Sequence, residues 1–314
     1  MTLVSIPANP VPEGASAGTL KTRDGATLRF ARFAPPPGRK GTVCVFPGRA
    51  EFIEKYFETV RDLRARGFAV VVLDWRGQGG SGRRLEDPFK GHVRSFKEYE
   101  TDLETLVREV MLPDCPPPYY AVGHSMGASV LLCVARRGHR WFDRMVLAAP
   151  MIGLPPVGQT RFARPVIKTM RLAGLSARYI PGGDPSVKAL GPFLGNSVTS
   201  DPVRYARTVA TLEANPSLGI GAPTVGWVAA AFDTMDWFAD ARFTADLRQP
   251  IMLVAAGRDE IVSTPAAEEF GLRLRAGSHL VVAGARHELL MEQDRYRAQF
   301  FAAFDAFVPG TPLY

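Results

Sequence analysis

Short apolar runs alternate with stretches of helical period along most of this chain. Leu20 to Arg23 and Thr27 to Phe33 flank Asp24-Gly25, a pairing that predicts a β-hairpin. After Pro35-Pro36-Pro37-Gly38, Thr42 to Phe46 reads as a buried strand. Ile53, Tyr56, Phe57, Val60 and Leu63 then follow the 3.6-residue period of a helix that Gly67 ends. Phe68 to Leu73, Tyr119 to Val122 and Met145 to Ala149 read as further strands, with helices at Phe96 to Val110 and Ala128 to Arg136. Regular alternation returns with the strand Ile251 to Ala256, the helix Pro265 to Arg275, the strand His279 to Ala283 and the helix Asp294 to Phe307. Continuous apolar strands separated by helices predict an α/β fold, a mostly parallel sheet with helices on both faces.

The alternation breaks after Pro150. From Pro155 to about Asp240 the chain is dense in glycine and proline and offers no clear strand, so it reads as an insertion on one sheet. The expected organisation is a core formed by residues 18–154 and 245–310, with a cap at 155–244 over the carboxyl ends of the strands. A length of 314 residues accommodates one large domain with such an insertion.

Composition excludes several classes. With 46% hydrophobic and 22% charged residues the chain is neither disordered nor a membrane bundle, and its apolar runs fall far short of the roughly 20 residues that span a bilayer. Met1 to Gly18 lacks the basic-then-apolar order of a secretion signal, so a cytoplasmic location is expected. Cys44, Cys115 and Cys133 have no metal-ligand spacing and are expected to be reduced and buried; no metal and no cofactor is expected. The net charge of +7 is spread along the chain, which argues against a nucleic-acid partner. A local excess, Arg161, Arg164, Lys168, Arg171 and Arg178, shares the acid-free stretch Pro155 to Ile180 with Phe162, Val166 and Met170 at every fourth position. It reads either as a solvated basic face or as an amphipathic helix that rests on the anionic inner face of a membrane.

Candidate chemistry centres on Gly123-His124-Ser125-Met126-Gly127, between an apolar strand and a small-residue helix. A strand-to-helix turn with glycine two residues either side of a serine is the pattern of a nucleophile elbow, where crowding excludes side chains at Gly123 and Gly127. A seryl nucleophile needs a histidine base and an acid, in the order serine, acid, histidine along this kind of fold. Of the histidines at 92, 124, 139, 279 and 287, only His287 lies in a loop directly after a late strand, so it is the expected base. Asp259, after the strand Ile251 to Ala256, is the expected acid, ahead of Glu260 and Asp246. The oxyanion donors are expected to be the backbone N–H groups of Met126 and of Arg49 in Pro47-Gly48-Arg49-Ala50. Gly77-Gln78-Gly79-Gly80-Ser81-Gly82 also satisfies a dinucleotide-binding pattern, but no helix follows it, so a turn beside the pocket is the better reading.

With these residues in view, the chain resembles the alpha/beta-hydrolases, and within them the lysophospholipase L2 and monoacylglycerol lipase-like serine hydrolases. The matching stretches are Phe46 to Tyr56, Asp74 to Ser81, Gly123 to Gly127, Gly257-Arg258-Asp259 and Ala285 to Glu292. The family's histidine-glycine oxyanion motif has proline here, at Pro47. The resemblance implies a capped pocket and a lipid ester substrate with one acyl chain on a glycerol-based head, a lysophospholipid or a monoacylglycerol, cleaved through an acyl-enzyme on Ser125. A small-ester carboxylesterase and a ligand receptor with an idle triad are the alternatives. Trp227, Phe232, Met235, Trp237 and Phe238 are expected either to line an acyl channel or to pack the cap on itself.

Overall fold

The computed structural model of the chain describes residues 2–155 and 160–309, apart from the side chains of 160–162. Its sheet has eight strands, β1 (Ala15–Lys21), β2 (Thr27–Phe33), β3 (Thr42–Phe46), β4 (Ala69–Asp74), β5 (Tyr119–His124), β6 (Arg144–Ala148), β7 (Ile251–Ala256) and β8 (Gly277–Val282). They lie in the order β1-β2-β4-β3-β5-β6-β7-β8. β2 is antiparallel to β1 and β4, and every other neighbouring pair is parallel. The mostly parallel sheet read from the alternation is therefore present. β3 and β4 are buried along their whole length, which is why they read as unbroken apolar runs. β1 begins five residues before the expected Leu20, because an edge strand with exposed positions carries little apolar signal.

Helices α1 (Phe57–Ala65), α2 (Lys97–Leu106) and α3 (Met126–Arg136) fill the first crossovers. Between β6 and β7 the described residues form α4 (Thr160–Leu172), α5 (Pro202–Ala214) and α6 (Val225–Ala239), and no strand beyond a single bridge between Tyr179 and Thr224. Residues 156–159, at the expected start of the insertion, and residue 310, at the expected end of the core, lie outside the described residues. α7 (Thr264–Leu272) and α8 (Asp294–Phe307) complete the chain. α8 is tied to α1 by Arg297–Asp62 (2.6 Å) and Arg66–Asp305 (2.7 Å), while α2 packs with α3. Among the described residues no helix is long and apolar enough to cross a membrane.

The basic helix expected within 155–180 forms at α4, and of the expected apolar stripe Met170 packs inward while Val166 faces out. Ile167 is buried, with Ala163 and Met170 packed against the core, whereas Val166 is 45% exposed. The 3.6-residue period drifts off a strict four-residue spacing, and docking on α6 selects the neighbouring position. Arg171 pairs with Asp233 at 2.7 Å and Arg164 with Asp236, both on α6; the side chains of Arg161 and Phe162 lie outside the described residues. Phe238 and Trp237 pack on Phe243, at 4.9 and 4.8 Å between ring centres, so both have a packing role.

The glycine-rich run folds over a buried charge cluster. Arg29 donates to Asp74 at 2.6 Å and through both terminal nitrogens to Glu54 at 2.8 Å; all three side chains are essentially inaccessible. A Cβ on Gly79 would stand 2.3 Å from the Asp74 carboxyl carbon, and one on Gly80 would stand 2.3 Å from Arg29 Nε. Close approach to this pair is what the glycines serve. Arg29→Met would strand two buried carboxylates and is expected to cost roughly 3–5 kcal/mol in urea unfolding. Arg84→Met, at an exposed pair with Glu98, should cost less than about 1 kcal/mol.

Candidate active site

β5 turns into α3 at a single residue. Ser125 has φ +49° and ψ −113°, a conformation that a non-glycine residue holds only under constraint. The constraint is contact: a Cβ on Gly127 would lie 2.2 Å from the Phe46 carbonyl oxygen, and one on Gly123 would lie 2.8 Å from Ala128 Cα. The Ser125 amide donates to the Ala148 carbonyl at 3.0 Å, which ties the turn to β6.

Ser125, Asp259 and His287 follow the carboxyl ends of β5, β7 and β8, and their side chains meet. His287 Nε2 lies 3.0 Å from Ser125 Oγ and Nδ1 lies 2.8 Å from Asp259 Oδ2. The carboxylate facing Nδ1 fixes the tautomer that leaves Nε2 free to accept the seryl proton. The other Asp259 oxygen accepts the amides of Ile261 and Val262 at 2.8 and 2.9 Å, so the acid is itself held in place. The remaining histidines have other partners or positions: His92 faces Thr224 at 2.9 Å, His139 stacks on Trp141, and His279 is on the edge strand β8.

Arg49 lies in a loop anchored on nearly every side. Trp75 Nε1 donates to the Pro47 carbonyl at 2.8 Å and Gln78 Nε2 to the Gly48 carbonyl at 2.8 Å; the Gly48 amide donates to Glu51, and the Ala50 amide reaches Gln78 Oε1 at 3.3 Å. Among the described residues, neither the Arg49 amide nor the Met126 amide at the start of α3 donates to another protein group. A helix N-terminus adds a favourable field for negative charge at Met126.

Beneath these loops lies a charge network that was not read from the sequence. Glu51 Oε2 accepts from the Tyr56 hydroxyl at 2.6 Å and faces His124 Nδ1 at 3.0 Å; Lys55 Nζ bridges Glu51 at 2.9 Å and Glu288 at 2.6 Å. His124 Nε2 points at the His287 carbonyl, 3.2 Å away. Both ring nitrogens thus face oxygens, an arrangement that favours the doubly protonated ring. Burial works against that charge, but the Glu51 carboxylate outweighs it and raises the His124 pKa. Burial likewise opposes ionised Glu51, yet His124 and Lys55 hold it well below the usual carboxylate range. The one signal for this network was the Glu51 to Lys55 spacing of four on a helical turn.

A histidine whose pKa rises on folding stabilises fully below its unfolded value of 6.5, and the contribution fades as pH climbs through the folded value. The stability gap between wild type and His124→Gln should therefore be widest below about pH 6.5, roughly 3–5 kcal/mol, and close at higher pH. Urea unfolding across that range measures it, and a flat gap would mean a neutral ring.

The family model described as "Hydrolase_4: Serine aminopeptidase, S33" matches residues 37–294. Lysophospholipase L2 of Escherichia coli (strain K12) is 32% identical over 286 residues, 88% of this chain and 82% of that protein. A monoacylglycerol lipase of Mycolicibacterium smegmatis is 26% identical over 278 residues, 86% of this chain and 89% of that protein. Among solved structures, a soluble variant of monoglyceride lipase from Saccharomyces cerevisiae superposes with a TM-score of 0.73 at 19% identity, covering 93% of this chain and 95% of that one.

Proposed function

The chain belongs to the serine aminopeptidase S33 family of alpha/beta-hydrolases and is a serine hydrolase, and from that premise we propose that it releases a fatty acid from a single-chain lipid ester, a lysophospholipid or a monoacylglycerol. The observation that carries this reading is the hydrogen-bonded line from Asp259 through His287 to Ser125, in a chain whose relatives are a lysophospholipase and a monoacylglycerol lipase by name.

In the proposed reaction, Ser125 Oγ attacks the ester carbonyl while its proton passes to His287 Nε2, and Asp259 stabilises the imidazolium that forms. The oxyanion accepts hydrogen bonds from the amides of Met126 and Arg49. His287 returns the proton to the departing alcohol, which leaves an acyl-enzyme on Ser125; a water activated by His287 then releases the acid. Residues 155–244 act as the cap, with the buried side chains of Trp227, Phe232 and Met235 on α6.

We also propose that the cap rests on anionic lipid. Leu172 and Leu194 are 81% and 91% exposed, and Lys168 and Arg178 hold no ion pair among the described residues. Co-sedimentation with anionic vesicles should fall in a Lys168→Glu/Arg178→Glu double variant, and unchanged binding would reject the contact.

Ser125→Ala is expected to abolish labelling by a fluorophosphonate probe and to cut fatty-acid release by at least roughly a thousandfold. Asp259→Asn should cut it by roughly ten-thousandfold with the fold intact. Labelling of the alanine variant at the wild-type rate would end the proposal. Turnover of small esters with no activity on monoacyl lipids would move it to a general carboxylesterase, and tight acyl binding without turnover to a receptor.

A further inference from the structure

The loop that holds the proposed second oxyanion donor also carries a cation with no ion pair among the described residues. The guanidinium of Arg49 donates from Nη2 to the Gly221 carbonyl at 2.7 Å and lies 5.2 Å from the centre of the Trp227 ring; its Nε is buried and has no hydrogen-bond partner among the described residues. The buried arginines differ from this half-buried one. Arg29, Arg76, Arg204 and Arg297 each hold a carboxylate at 2.6–2.8 Å. Burial without such a partner lowers the Arg49 pKa to about 10. A desolvated charge left unpaired is costly, and proteins keep one where a ligand completes it. The Trp227 ring that Arg49 faces is itself fixed, its Nε1 donating to the Tyr99 hydroxyl at 3.1 Å.

We propose that the Arg49 guanidinium is an anion subsite that receives the phosphate of a substrate head group, so that single-chain esters bearing a phosphate are cleaved in preference to neutral ones. This rests on the ester-hydrolase reading above. The residue whose amide is the proposed oxyanion donor carries the guanidinium on its own side chain, and in a lysophospholipid the phosphate follows the scissile ester across one glycerol unit. A guanidinium fork matches phosphate oxygens in pairs, which a point charge does not. A monoacylglycerol offers this subsite only a hydroxyl.

The test compares kcat/KM for a lysophosphatidate and a monoacylglycerol of the same acyl chain. The wild type should favour the phosphate-bearing lipid, and Arg49→Met should shift the ratio toward the neutral lipid by roughly 10- to 100-fold, with Arg49→Lys between them. Equal losses on both substrates would make Arg49 a strut between the oxyanion loop and Gly221 and overturn the subsite, as would a wild type without preference. Should the variants fail to fold, the wild type still decides. Glycerol phosphate should compete with a neutral nitrophenyl ester while glycerol and inorganic phosphate do not. Equal inhibition by inorganic phosphate would mark a free-anion site and overturn the head-group assignment, and no inhibition by glycerol phosphate would overturn it too. Turnover without charge preference sinks only this inference, whereas absence of turnover and of Ser125 labelling sinks the functional reading itself.

Discussion

The close approach of β3 to the turn at Ser125 is the constraint on which the site depends. Phe46 pairs with Gly123 across the sheet, so the end of β3 runs directly under the start of α3. At Gly127 there is no room for even one carbon between that helix and the carbonyls of Phe46 and Pro47. The same contact does two things. It holds Ser125 at a positive φ, and it brings the 47–50 loop against the start of α3. The strain stored at Ser125 persists because packing on both sides over-determines it.

Two layers of buried charge then hold the loops that the turn assembles. The lower one, Arg29 with Glu54 and Asp74, fixes the turn that begins α1 to β2 and β4, with Asp74 also accepting the Ile53 amide at 2.9 Å. The upper one, Glu51 with Lys55, His124 and Glu288, joins the 47–50 loop, the residue before Ser125 and the residue after His287. Both hang from the short segment 51–55. Such networks gain little net stability once desolvation is counted, but removing any one member leaves a buried charge uncompensated, which favours a single arrangement of the loops. For a reaction that needs donors preset at the oxyanion, a site with one arrangement is worth more than a slightly more stable apolar one.

The legible part of the fold was the part that repeats. Strands β3 to β7 are buried on both faces and read as apolar runs, and the elbow, the late loop histidine and the aspartate after β7 each sit at a strand end that the alternation located. What the sequence hid depends on partners distant along the chain. Glu51 and Glu288 look like solvated helix charges until the sheet brings them within reach of Lys55, 233 positions away in the case of Glu288 and four in the case of Glu51. His124, which does not lie in a loop after a late strand, faces the backbone carbonyl of His287. The glycine run resembled a nucleotide motif because both need close backbone approach, here to a carboxylate and a guanidinium rather than to a phosphate. The inward face of α4, with Ala163, Ile167 and Met170, is set by docking on α6, which no local pattern encodes.

Proline at position 47, where the family's oxyanion motif has histidine, follows from how this loop is anchored. The loop is held by its carbonyls and by one carboxylate: Pro47 and Gly48 accept from Trp75 and Gln78, and Gly48 donates to Glu51. None of these bonds uses an N–H at position 47, so a residue that lacks one costs the anchoring nothing and narrows the backbone before substrate arrives. Gln78 supplies both an acceptor to Ala50 and a donor to Gly48, and it reaches them because the glycines beside it let the run lie flat on the Arg29–Asp74 pair. With the amides at 48 and 50 committed and none at 47, the amide this loop leaves without an acceptor among the described residues is that of Arg49, and Ala50, at φ +64°, turns the chain immediately after it. The anchoring that tolerates proline at 47 is therefore the same anchoring that singles out the Arg49 amide for the proposed oxyanion role.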